Sequence, residues 1–154
     1  MNRCWWLITL LCCSNLSWAI NPFNSDGCSL FPDGTLRQQT LWLSCCEAHD
    51  RAYWQGGTYQ QRIAADLALQ QCVDQVGEPE IAQIMLAGVR VGGSPYWPTS
   101  FRWGYGWPFG RGYQPLSAAE LELIAARWKD YIASQSNNAV QTSEVVSTPP
   151  TSDL

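Results

Sequence analysis

Seven cysteines in 154 residues cannot all pair within one chain, and their placement decides what the chain can fold into. Cys4, Cys12 and Cys13 fall in the first twenty residues. There Asn2 and Arg3 precede the apolar run Trp5 to Cys13, and the small-x-small triplet Ser17-Trp18-Ala19 follows. That layout predicts a secretory signal peptide over residues 1–19, cleaved after Ala19, because the apolar core is too short to span a bilayer comfortably. A lipid anchor at Cys12 is the weaker alternative, since bulky Leu11 stands where a small residue is expected. Removal of the leader leaves Cys28, Cys45, Cys46 and Cys72. In the oxidising setting of a secreted or periplasmic protein, this even set reads as two disulfides with three possible connectivities. A zinc site is disfavoured, because Cys45 and Cys46 are adjacent and lack the two-residue spacing of zinc ligands. The single His excludes a site built from several imidazoles, and a net charge of -4 argues against nucleic acid as a partner.

Beyond the leader, residues 20–39 are rich in Asn, Pro, Gly, Asp and Ser and read as loop. Helical spacing runs from Leu41 to Trp54 and is broken by Gly56-Gly57. Thr58-Tyr59-Gln60-Gln61 has the capping-box pattern and opens a second helix, Tyr59 to Val76, closed by Gly77. Pro79 suits the first turn of a third helix that ends near Arg90, before Gly92-Gly93. Segment 92–115 is dense in Gly, Pro, Tyr and Trp and is expected to be an ordered loop or a short hairpin. Ser117-Ala118-Ala119-Glu120 is another capping box, opening a helix to about Ala133. Residues 134–154 are Ser, Thr, Asn, Gln and Pro with little apolar content and read as a disordered tail. The expectation is a mainly α domain over 20–133: a disulfide-stapled antiparallel helix pair with long loops and additional C-terminal helices.

The short Gln55–Thr58 link makes the first two helices antiparallel neighbours, so residues at one height share a nearly constant index sum of about 115 to 117. Trp42, Cys45, His49 and Ala52 form one stripe, and Ala65, Leu69, Cys72 and Val76 form the facing one. Cys45 falls opposite Cys72, and Ala52 opposite Ala65. The only histidine, His49, lies within about 3 Å of the height of Asp66. A carboxylate there can fix the imidazole tautomer and leave the other ring nitrogen as a general base toward water. Asp50 points about 100° away and could bind Ca²⁺ with loop carbonyls, the candidate loop being Asp26 to Gly34. A Cys28–Cys46 bridge would carry that loop to the helix, because Cys46 and Asp50 are four residues apart on one face.

Cys45-Cys46-Glu47-Ala48-His49-Asp50-Arg51-Ala52-Tyr53 resembles the active-site helix of secreted phospholipase A2, Cys-Cys-x-x-His-Asp-x-Cys-Tyr. Gly27-Cys28 upstream and Asp66 through Cys72 downstream match further parts of that pattern, over about residues 26–73. The resemblance implies a fold of phospholipase A2 type and hydrolysis of the sn-2 ester of phospholipids at a membrane surface. His49 would activate water, Asp66 would orient it, and Tyr53 would hydrogen-bond to that acid. Asp50 and the backbone carbonyls of Gly27, Ser29 and Phe31 would hold Ca²⁺. Disulfides Cys28–Cys46 and Cys45–Cys72 are implied as well.

Two departures stand out. The family's Cys after His-Asp-x is Ala52 and its partner is Ala65, so both halves of one bridge are missing together. The Gly-rich metal loop is replaced by Ser29-Leu30-Phe31-Pro32-Asp33-Gly34, whose side chains restrict the backbone and whose Asp33 could join the coordination. The altered loop motivates an alternative, a non-catalytic lipid- or protein-binding module on the same scaffold.

Trp97, Trp103 and Trp107 fall in the aromatic segment and suggest an interfacial surface, with Arg102 and Arg111 available to lipid phosphates. The competing expectation is that these rings fold inward over a small core.

Overall fold

The computed structural model describes residues 19–147. The expected leader, apart from Ala19, and the last seven residues of the expected tail lie outside them. Four helices follow one another: α1 (Leu43–Gln55), α2 (Tyr59–Gln75), α3 (Pro79–Gly92) and α4 (Ala118–Ser147), with no strand among the described residues. None of these helices is long and apolar enough to cross a membrane.

Local chemistry sets the helix starts. Thr58 accepts from the Gln61 N–H while the Gln61 side chain accepts from the Thr58 N–H, a complete capping box on α2. Ser117 and Glu120 make the same reciprocal pair at the start of α4. Pro79 occupies the first turn of α3, where its missing N–H leaves no bond unmade. Between α1 and α2 the chain turns through Gly56 at φ +69, and a Cβ there would stand 2.9 Å from the Gly104 Cα. Both the backbone conformation and the close approach require glycine.

Cross-links run from Cys45–Cys72 through His49–Asp66 to Tyr53–Arg62, so rising positions on α1 meet falling positions on α2 and the pair is antiparallel. The second disulfide, Cys28–Cys46, ties the N-terminal loop to α1. α3 packs back on α2, pinned by Arg62 donating to the carbonyls of Val89 and Arg90. One core lies between these three helices, with Trp42, Cys45, Cys46, Leu69, Val73, Ala82 and Met85 buried in it.

A second core gathers Ile20, Phe23, Trp54, Trp107 and Ile124, and α4 joins the molecule here. Phe23 meets Trp128 and Tyr131 edge-on. α4 continues to Ser147, beyond the expected end near Ala133, so residues 134–147 are helix where a disordered tail was expected. The stretch has no Gly and no Pro, and nothing in it stops a helix already nucleated at Ser117 and docked through Trp128.

Residues 93–115 are ordered loop, with Trp103 and Trp107 turned inward and Tyr96, Trp97 and Phe109 more than half exposed. Trp103 is 2 % exposed and Trp107 fully buried, which corrects their expected place on an interfacial surface. Their indole N–H groups need acceptors once buried, and the carbonyls of Gly57 and Gln55 at the end of α1 supply them. Gly104 and Gly106 donate to the carbonyls of Tyr53 and Trp54. Arg102 is buried beneath the loop and donates to the carbonyls of Gly104 and Trp107, while Arg111 pairs with Glu120. Neither cation is presented to solvent. Trp97 is 54 % exposed, with its N–H directed to the Val91 carbonyl.

Candidate active site

The antiparallel register of α1 and α2 brings His49, Tyr53 and Asp66 together. His49 Nε2 lies 3.2 Å from Asp66 Oδ1, and Tyr53 donates its hydroxyl to the same oxygen at 2.6 Å. The Tyr53 ring lies 4.1 Å from the imidazole, centroid to centroid, and stands edge-on to Trp103 on its other side. Burial and the carboxylate beside it push the Tyr53 hydroxyl well above its ordinary range, so it stays a donor. His49 Nδ1 makes no hydrogen bond among the described residues, and the ring lines a cavity.

Asp66 is fully buried, a position an ionised carboxylate occupies only when compensated. Two arginines compensate it. Arg90 Nε lies 2.9 Å from Oδ2 and Arg62 Nε 3.9 Å away. The Arg90 N–H is not aligned on the oxygen, so this contact is an ion pair rather than a hydrogen bond. Arg62 is itself buried and spends its donors on the hydroxyls of Tyr53 and Tyr113 and the two α3 carbonyls. The sequence reading missed both arginines. Arg62 carried a signal, since it stands four residues before Asp66 on one helix face. Arg90 comes from another helix and carried none.

Asp50 sits at the other edge of α1, half-buried. It accepts from the Ser25 hydroxyl at 2.6 Å. Burial raises its carboxyl to about 7, the Ser25 bond opposes that rise, and Asp26 and Glu47 add to it. Among the described residues no basic side chain forms an ion pair with Asp50. Gly27, Ser29 and Phe31 line the same cavity as Asp50 and His49. Ser29 has φ +57, so the loop adopts a left-handed turn at a residue that carries a side chain. Asp33 accepts from the Cys28 N–H at 2.8 Å, which assigns its carboxylate to holding the loop turn.

No group of three or more His, Cys, Asp or Glu among the described residues is arranged to hold a metal. Asp50 is thus a half-buried carboxylate without a basic partner among the described residues, in one cavity with the loop residues Gly27, Ser29 and Phe31, and a hard-oxygen ion such as Ca²⁺ is the class of metal a carboxylate of this kind suits.

The cavity is a half-open groove of about 270 Å³. Leu69, Ile84, Met85, Val89 and Phe101 make its walls apolar, and His49 and Asp50 line it with them. Comparison with protein-family models, with curated proteins and with solved structures gives no match.

Proposed function

We propose that this chain is a secreted, Ca²⁺-dependent hydrolase of phospholipase A2 type that cleaves the sn-2 ester of phospholipids. The observation that carries the reading is the His49–Asp66 pair, with Nε2 on the carboxylate and Nδ1 turned toward an apolar groove. The two disulfides and the α1–α2 pair support the same scaffold.

The residues divide the work as follows. Asp66 accepts a hydrogen bond from Nε2–H and so holds the tautomer with its lone pair on Nδ1. Tyr53, Arg62 and Arg90 hold Asp66 in place. Nδ1 takes a proton from a water molecule, whose oxygen adds to the ester carbonyl. The tetrahedral adduct then expels the glycerol oxygen, which takes the proton back from Nδ1. Water and ester are consumed, and a fatty acid and a lysophospholipid are released. The apolar groove holds the acyl chain and keeps bulk water away from the carbonyl. Asp50 and the carbonyls of Gly27, Ser29 and Phe31 would hold Ca²⁺, which supplies polarisation of the ester carbonyl and stabilisation of the oxyanion when bound.

The test is hydrolysis of a diacyl phosphatidylcholine by the wild type, by His49→Gln and by chelator-treated protein. The expected result is at least a thousandfold loss in His49→Gln with the fold retained, and loss in chelator reversed by added calcium. Hydrolysis undiminished in His49→Gln would overturn the general base. The left-handed Ser29 favours a second reading, a non-catalytic lipid-binding module. Lipid binding without hydrolysis at saturating calcium would establish that reading instead.

A further inference from the structure

α3 carries two glycines one turn apart, Gly88 and Gly92, and both line the groove beside His49. Glycine inside a helix costs about 1 kcal/mol relative to alanine, so Gly88 asks for a reason, while Gly92 is the last residue of the helix. Close packing is the usual one, and it fails here. A Cβ built on Gly88 meets nothing within 4 Å, and one on Gly92 first meets Phe101 Cε2 at an ordinary 3.7 Å. Unusual backbone is the other, and neither glycine has a positive φ. What the two positions share is open space on the groove side of α3. Gly93, which lines the groove as well, behaves differently: its Cβ would strike the Tyr53 ring and hydroxyl, so close packing accounts for that glycine alone.

The groove also has polar lining. His49 is 8 % exposed, and its Nδ1 has no partner among the described residues. Gly92, Val89, Gly88, Met85 and Ile84 line the groove along α3, and Phe31 and Leu30 line it from the N-terminal loop. Gly92 to Ile84 is eight residues, about 12 Å of helix, the length of an extended acyl chain of about ten carbons. Ile84 and Leu30 are exposed at 56 % and 89 %, so the distal end opens to solvent between them.

We propose that Gly88 and Gly92 are specificity-determining residues: the acyl chain of the ester lies across them, and their missing side chains set the chain length the site accepts. The proposal rests on the hydrolase reading for its substrate but not for its test of binding. A side chain at Gly88 would fill open space on the groove wall and shorten the apolar length left for an acyl chain.

The experiment uses Gly88→Leu and Gly88→Ala in the full mature chain. One arm measures kcat/KM for dihexanoyl and didecanoyl phosphatidylcholine, and the other measures binding of dodecylphosphocholine below its micelle concentration by calorimetry. Dodecylphosphocholine has no ester, so this arm does not need activity. The ring signals of the only histidine report whether the alkyl chain seats beside His49. The expected result for Gly88→Leu is at least a tenfold fall in the decanoyl-to-hexanoyl ratio and a tenfold loss of dodecylphosphocholine affinity, with Gly88→Ala between it and the wild type.

Thermal unfolding completes the set. Replacing an exposed helical glycine by leucine in open space should raise Tm, because helix propensity improves. A lowered Tm would mean that the space is not open and would overturn the assignment, as would an unchanged chain-length ratio with unchanged alkyl affinity. Absence of hydrolysis in the wild type would refute the hydrolase reading alone. The binding arm then still decides whether an alkyl chain occupies the groove.

Discussion

Asp50→Asn should remove one pH-dependent loss of stability from this protein. The native carboxyl titrates at about 7 against 3.8 for the ordinary side chain, chiefly because it is buried. A raised acid binds its proton more tightly in the folded state than in the unfolded one. Between pH 4 and pH 7 the folded chain is therefore protonated at Asp50 while the unfolded chain is not, and stability falls as pH rises. The span is about three pH units at about 1.36 kcal/mol each, or about 4 kcal/mol lost across the window in the metal-free protein. Asn has nearly the same shape and no charge, so the variant lacks this loss. Urea unfolding followed by circular dichroism, with chelator present and disulfides intact, should show Asp50→Asn gaining about 4 kcal/mol on the wild type from pH 4 to pH 8. Saturating Ca²⁺ at pH 8 should restore the wild type and leave Asp50→Asn unmoved, because the ion binds the ionised carboxylate. Parallel wild-type and variant curves over the whole range would refute the argument from burial.

Arg62→Met tests the clamp on Asp66. It removes donors to Tyr53, Tyr113 and two α3 carbonyls and leaves Arg90 as the one arginine beside Asp66 among the described residues, so a loss of about 3–5 kcal/mol is expected in the same urea titration. A loss below about 1 kcal/mol would mean that solvent already satisfies these groups. The double variant Cys45→Ala/Cys72→Ala opens a loop of 27 residues' separation and should lose about 3–4 kcal/mol, read as a lower urea midpoint with retained helical signal.

The parts of this molecule that could be read from its sequence are those where one periodicity decides the outcome. Helical spacing and a four-residue link place Cys45 opposite Cys72 and His49 beside Asp66, since two antiparallel helices have little freedom of register. Capping boxes at Thr58 and Ser117 announce helix starts by local hydrogen bonding alone. The inward turn of Trp103 and Trp107 could not be read this way. Their acceptors, the carbonyls of Gly57 and Gln55, lie about fifty residues earlier in the chain, and the aromatic pattern is the same whichever way it faces. Arg90 was hidden for the same reason, because its ion pair with Asp66 joins α3 to α2. The continuation of α4 past Ala133 escaped a compositional argument, since polar residues weaken a helix without ending it.

The internal arginines also bear on how a phospholipid surface would be met under the proposed reading. Arg62, Arg90, Arg102 and Arg111 face carboxylates, carbonyls or hydroxyls of the chain itself, and Arg51 lies over the Trp128 ring at 3.9 Å. With the first four turned inward, Arg37, the exposed Arg51, Arg127 and Lys129 are the remaining basic side chains of residues 20–154, where all 13 acidic residues also fall. The outer surface is thus more acidic than a net charge of -4 suggests. Attraction to anionic headgroups by a basic face is a poor account of such a surface. The exposed apolar groups at the groove mouth, Leu30 and Ile84, offer the better one, because burying them in a lipid interface stabilises contact without any counter-charge. Lipid approach and acyl-chain entry would then use the same opening, and the buried cations would serve the geometry of the site behind it.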